Sequence, residues 1–127
     1  MLVAENITKR FSGVTALDNV CLELHEGKVN AILGENGAGK STLMKILSGV
    51  YPEYEGQLLW NGRPVRFANT KEAQEAGIAI IHQELNLIPY LSITENIFLG
   101  QELETIWGTL DKKKMRQTTT ELLQKLK

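Results

Sequence analysis

One stretch of the chain carries three glycines, a lysine and two hydroxyls in a fixed arrangement: Gly34-Glu35-Asn36-Gly37-Ala38-Gly39-Lys40-Ser41, with Thr42 next. It matches G-x-x-x-x-G-K-[ST], the Walker A pattern. The chemistry explains the residue types. A polyphosphate has to be surrounded by donors at close range. Glycines let the backbone turn tightly and bring its N–H groups against the oxygens. A helix beginning at the lysine adds unpaired N–H groups and the positive end of its dipole. Lys40 places a point charge on the β and γ phosphates, the Ser41 hydroxyl can ligate Mg²⁺, and Thr42 can donate to a phosphate. Glu35, Asn36 and Ala38 serve through their backbone. With average glycine near 7%, a chance match in a chain this long is below about one in a hundred.

The elements around this stretch have the right order. Residues 29–33 are aliphatic and read as a short strand ended by Gly34. A helix follows from about residue 40 to residue 48, with Leu43, Ile46 and Leu47 on one face, Gly49 as C-cap and Pro52 barring continuation. Upstream, residues 2–8 and the alternating residues 20–24 read as strands, with a turn at 25–28. Downstream, residues 57–60 and 64–67 flank Asn61-Gly62, a tight-turn signal. Thr70 opens a short helix ending at Gly77, and residues 78–81 read as a buried parallel strand. Residues 85–91 form a loop around Pro89. Ser92 with Glu95 three residues on is a capping-box pattern for a helix through about residue 99, and residues 100–108 read as an exposed connection. Asp111 caps a last helix with Met115, Thr119, Leu122 and Leu126 on one face.

Composition sets outer limits. The chain has 127 residues, 43% hydrophobic and 23% charged, with a formal net charge of -1. That size suits one modest domain, and the composition argues against disorder. The balanced charge implies no bulk affinity for nucleic acid, so phosphate binding has to come from a local arrangement. The single cysteine, Cys21, rules out an internal disulfide and is expected to pack as a small hydrophobe in a strand. No apolar run approaches the 20 or so residues of a membrane span, and the first residues carry no secretory-signal pattern. His25 and His82 lie too far apart in sequence to propose a metal site. Trp60 and Trp107 read as packing or surface residues, and Lys112-Lys113-Lys114 as solvated surface.

A complete nucleotide hydrolase of this kind also needs an acid at the end of a neighbouring buried strand to hold Mg²⁺. Residues 78–81 end instead in His82-Gln83, and no Asn-Lys-x-Asp base-reading motif occurs. The remaining residues resemble an ABC-transporter ATPase. The resemblance is carried by Phe11-Ser12-Gly13-Val14-Thr15-Ala16-Leu17, Gly27, Ser41-Thr42-Leu43, and Gln83 with Pro89 and the segment from Leu91 to Gly100. It covers essentially the whole chain and only the first part of the family's domain. The segment from Gly77 to Pro89 and Glu95-Asn96-Ile97-Phe98-Leu99-Gly100 resemble the first cassette of a ribose-type sugar importer with two cassettes per polypeptide.

The resemblance implies an α/β fold: a P-loop NTPase core of ABC-ATPase type with an antiparallel β subdomain, cut before the signature motif and the second, Walker B, motif. Residues 1–127 would be the N-terminal, incomplete part of one nucleotide-binding domain. Phe11 matches the aromatic that stacks on adenine, with Phe in place of the usual Tyr, and Ala16 would pack near the base or sugar. Gln83 matches the glutamine that approaches Mg²⁺ and the attacking water. Lys40 and Gln83 are thus the candidate catalytic residues, and Ser41 and Gln83 the candidate metal ligands. Phe11 and the stretch from Gly34 to Thr42 are the candidate ATP contacts.

ATP and Mg²⁺ are the implied cofactors. The implied partners are transmembrane permease subunits, against which residues 84–93 would lie, a second ABC cassette, and indirectly a periplasmic sugar-binding protein, with no nucleic acid. The implied location is the cytoplasmic face of the cell membrane. The whole protein would be an ATPase driving monosaccharide, ribose-type, import. The 127 residues alone would bind ATP without turning it over. A soluble ABC-type module with no permease is the alternative.

Overall fold

A computed structural model describes residues 1–82 and 87–126. It divides into two compact units, Met1–Ile81 and His82–Lys127. The first is built on a four-stranded antiparallel sheet ordered β2-β1-β3-β4, from β1 (Leu2–Phe11), β2 (Val14–Leu24), β3 (Glu55–Trp60) and β4 (Arg63–Val65). Both short hairpins close as their sequences require. Ser12 and Gly13 join β1 to β2 with φ of 30° and 91°, and Asn61 and Gly62 join β3 to β4 with 51° and 77°. Positive φ at both central residues is the turn whose twist matches the strands.

The alternation along β1 is broken once, and the break has a cause. Leu2 and Ala4 face the core, and so does Ile7, which has the opposite parity. The β1–β2 and β1–β3 registers both shift in this interval, and Asn6 sits at φ 54°. One extra residue returns the next apolar side chain to the buried face. On the neighbouring strand only Gly56 fits this bulge, since a Cβ there would lie 2.4 Å from the Asn6 carbonyl oxygen. Cys21 faces the same bulge and is exposed, correcting the expectation that it packs in the interior. Its Sγ accepts from the Asn6 N–H at 3.4 Å and lies 3.3 Å from Asn6 Oδ1.

Helix α1 (Lys40–Leu47) lays Leu43, Ile46 and Leu47 into the core with Ile7, Leu17 and Leu58. Ser48 is its C-cap, and Gly49 follows at φ 75°, one position beyond. A Cβ on Gly49 would fall 2.4 Å from the Asn69 carbonyl oxygen. Helix α2 (Thr70–Glu75) is capped by Asn69, whose side chain accepts from the Glu72 N–H at 3.0 Å. Ala73 supplies its buried contact.

Residues 29–33 and 78–81 depart from the sequence expectation. Neither segment is a strand: Val29 is 99% exposed and Ile81 95%. An extended segment becomes a strand only when a neighbouring strand satisfies its backbone, and among the described residues no strand forms a ladder with either segment.

The second unit holds α3 (Ile93–Ile97) and α4 (Lys112–Lys125) in contact. The expected capping box of α3 is present: Ser92 Oγ accepts from the Glu95 N–H, and Glu95 Oε2 accepts from the Ser92 N–H at 2.8 Å. Asp111 caps α4, accepting from the Lys114 N–H at 2.9 Å. Of the expected stripe, Met115 and Thr119 are buried, and Leu122 and Leu126 are exposed. No helix of the described residues is long and apolar enough to cross a membrane.

Candidate functional site

The loop between Gly34 and Lys40 is exposed and turns on its own backbone, with the Ala38 N–H donating to the Glu35 carbonyl at 3.2 Å. Gly37 and Gly39 hold φ of 86° and 81°, values that side-chain-bearing residues adopt at a cost. Gly39 is the N-cap of α1, without a side-chain cap. The first N–H to i−4 bond runs from Leu43 to Gly39 at 2.9 Å, so the N–H groups of Lys40, Ser41 and Thr42 precede the helical ladder. Ser41 is exposed, Thr42 partly so.

Lys40 closes the cradle. Its Nζ donates to the Gly34 carbonyl at 2.7 Å and the Glu35 carbonyl at 2.6 Å, curling the ammonium back over the loop. A Cβ on Gly34 would stand in van der Waals contact with Ala38 Cβ at 3.4 Å and 3.8 Å from that Nζ. The donor set fits a polyphosphate: one ammonium, two hydroxyls and a run of free N–H groups. For Mg²⁺ it offers the Ser41 hydroxyl. Among the described residues no group of three or more His, Cys, Asp or Glu could hold a metal. A magnesium ion held by a phosphate and one hydroxyl needs no such cluster.

The β1–β2 hairpin is seated against both ends of α1. At the N-terminal end, a Cβ on Gly39 would lie 2.6 Å from both the Ala16 carbonyl oxygen and Leu17 Cδ2. At the C-terminal end, Phe11 meets Tyr51 edge to face, with ring centroids 5.2 Å apart and planes at 66°. Tyr51 is held to the helix by its N–H, which donates to the Lys45 carbonyl at 3.1 Å. Phe11 is partly exposed at the hairpin tip, on the same unit as the cradle. The pairing with Tyr51 is a contact the sequence reading misses. Its one signal is an aromatic set just past the helix C-cap.

Gln83 and residues 84–86 lie outside the described residues. His82 and His25 are both exposed, and His25 sits in a turn laced by Asn30. The apolar loop before α3 is held by a residue that the sequence reading passes over. The Asn96 side chain accepts from the Ile88 N–H at 2.8 Å and donates to the carbonyls of Ile88, Leu91 and Ser92 at 3.1 Å. Around that latch Leu87 and Tyr90 stand exposed.

A glycine loop that closes on a helix-borne lysine and hydroxyls has the geometry of the P-loop class. The ABC transporter family profile matches residues 17–127, and the chain belongs to that family. It is 50% identical over 126 residues to the ribose import ATP-binding protein RbsA of Caldanaerobacter subterraneus subsp. tengcongensis, and 51% identical to that of Hahella chejuensis. Each alignment covers 99% of this chain and 25% of the relative, so the chain spans about a quarter of the length of these curated relatives.

Among solved structures, the ATP-binding cassette MJ0796 in a dimeric post-hydrolysis state with ADP and Pi superposes with a TM-score of 0.72 at 27% identity. That superposition covers 98% of this chain and 56% of the cassette. A nucleotide-free cassette from an ABC transporter superposes with a TM-score of 0.65 at 25% identity, over 91% of this chain and 49% of its own. The fold is accordingly an α/β ABC-ATPase core carrying an antiparallel sheet.

Proposed function

We propose that the chain is the nucleotide-binding, N-terminal part of an ATP-binding subunit that drives import of a monosaccharide, ribose. The observation that carries the reading is the Lys40 ammonium poised on the Gly34 and Glu35 carbonyls at the mouth of α1. Those two neutral acceptors are ones that phosphate oxygens outcompete, because a charged acceptor roughly doubles the strength of such a bond. The backbone from Gly34 through Gly39 and the N–H groups of Lys40, Ser41 and Thr42 hold the β and γ phosphates. Phe11 offers its π face to adenine. Stacking reads no base edge, so discrimination between ATP and GTP is weak. The Ser41 hydroxyl would hold Mg²⁺, with Gln83 proposed as a second ligand and as the group that orients the attacking water, and the ion would supply neutralisation of phosphate charge.

Import rather than a permease-free role is favoured by the similarity to ribose import proteins across nearly the whole chain. The apolar loop latched by Asn96 is the proposed seat of a transmembrane permease. A second cassette and a periplasmic sugar-binding protein complete the assembly at the inner face of the membrane. Hydrolysis by the full-length ATPase needs a metal-anchoring acid after a buried aliphatic strand, and the aliphatic residues 78–81 run instead into His82-Gln83. The chain alone therefore binds ATP without turnover. Lys40-dependent, magnesium-dependent phosphate release by the purified chain would contradict that. The import reading is tested by labelled-sugar uptake in cells whose full-length copy carries Lys40→Ala. Ribose uptake is expected to fall at least tenfold, with other sugars unaffected. Undiminished ribose uptake, and full-length protein that leaves the membrane fraction without any permease, would favour the soluble alternative.

A further inference from the structure

We propose that Tyr51 is a positioning residue for the nucleotide base. It fixes the Phe11 ring relative to the phosphate cradle by tying the hairpin tip to the far end of the helix that begins at Lys40. The inference rests on Phe11 being the adenine platform. The contacts run in one connected path. Lys40 opens α1, and Lys45 stands in its last turn. The Lys45 carbonyl accepts the N–H groups of Val50 at 2.8 Å and Tyr51 at 3.1 Å, so the segment after the helix is pinned to it. The Tyr51 ring then meets Phe11 edge to face at 5.2 Å.

Two lysines hold the pair from outside. Lys9 Nζ lies 5.1 Å from the Phe11 centroid and 5.6 Å from that of Tyr51, and Lys45 Nζ lies 5.5 Å from Tyr51. The Lys9 ammonium is itself anchored on the Glu53 carbonyl. Phe11 stands at a two-residue turn, opposite Val14, where its own hairpin gives it a single cross-strand neighbour. Without Tyr51 its ring would lose the contact that sets its angle. A stacked base gains from the ring only if the ring already stands where the base arrives, since ordering it on binding would consume the gain.

The edge-to-face contact uses ring hydrogens and π density, and it does not need the phenol hydroxyl. That separates positioning from a hydrogen-bonding role and defines the test. ATP and inorganic triphosphate are titrated calorimetrically into the wild-type chain and into Phe11→Ala, Tyr51→Leu and Tyr51→Phe. Tyr51→Gln replaces Tyr51→Leu should the latter not fold. The readout is the ratio of the two affinities, which isolates the contribution of the nucleoside. Tyr51→Leu is expected to lower the ratio about three- to tenfold, with triphosphate affinity unchanged, and Tyr51→Phe to restore it. A lowered ratio in Phe11→Ala beside an unchanged one in Tyr51→Leu overturns the inference and leaves the platform standing. Equal losses of ATP and triphosphate in Tyr51→Leu also overturn it, since they mark a structural role. An unchanged ratio in Phe11→Ala overturns the platform, and the inference with it.

Discussion

At Gly39 two requirements meet on one α-carbon. The backbone is left-handed, at φ 81°, and a Cβ would drive into the Ala16 carbonyl oxygen and Leu17 Cδ2 at 2.6 Å. Gly37, two residues earlier, has the first requirement alone: φ is 86° and nothing stands within 4 Å. Gly37→Ala should therefore cost about 1–2 kcal/mol for the strained backbone. Gly39→Ala should cost about 2–4 kcal/mol, because the packed hairpin must also shift. Urea unfolding of the two variants checks this, with the midpoint falling further for Gly39→Ala at an unchanged slope. Equal midpoints would remove the hairpin contact from the account. The pattern of glycines, lysine and hydroxyls is legible in the sequence because each letter answers to a local backbone need. That Gly39 also meets β2 is not legible, since it depends on a partner some twenty residues upstream.

The elements divide the same way. The hairpin turn at Asn61-Gly62, the α1 stripe, the Asp111 cap and the Ser92–Glu95 box are all readable, because their causes lie within a few residues. The β1 bulge at Asn6 is not, since its parity switch is set by Gly56 on another strand. Residues 29–33 and 78–81 have strand-like composition, and composition alone does not supply a ladder.

The α3 box carries a consequence for pH. The Ser92 hydroxyl, then the Ser92 N–H, hold the Glu95 carboxyl below the ordinary range, against desolvation, with Lys112 assisting. Its charged form is thus favoured by the folded helix. The stabilisation is full above the ordinary glutamate pKa of about 4.3. It fades as the pH falls through the lowered value of Glu95. Cα chemical shifts of residues 93–97 should lose helical character at that low-pH end, and Glu95→Ala should remove the dependence. A titration of the same size in Glu95→Ala would assign it to another group.

Across the whole molecule, the near-neutral charge of -1 places any affinity for a polyanion in a local structure. The structure supplies one, with the hairpin seated on both ends of the helix that carries it. Family membership and its α/β core were readable from motif order along the chain. The contacts that join hairpin, helix and loop were not, because motif order carries no distances. The central claim is that Lys40 supplies the charge of a nucleotide cradle, and calorimetric titration of magnesium-ATP into the wild-type chain and Lys40→Ala tests it most directly. Lost charge-assisted bonds to two phosphates, about 1.5–3 kcal/mol each, predict saturable binding by the wild type and an affinity at least about a hundredfold lower in the variant. Equal affinity in the two, with the circular dichroism of the variant unchanged, would contradict it.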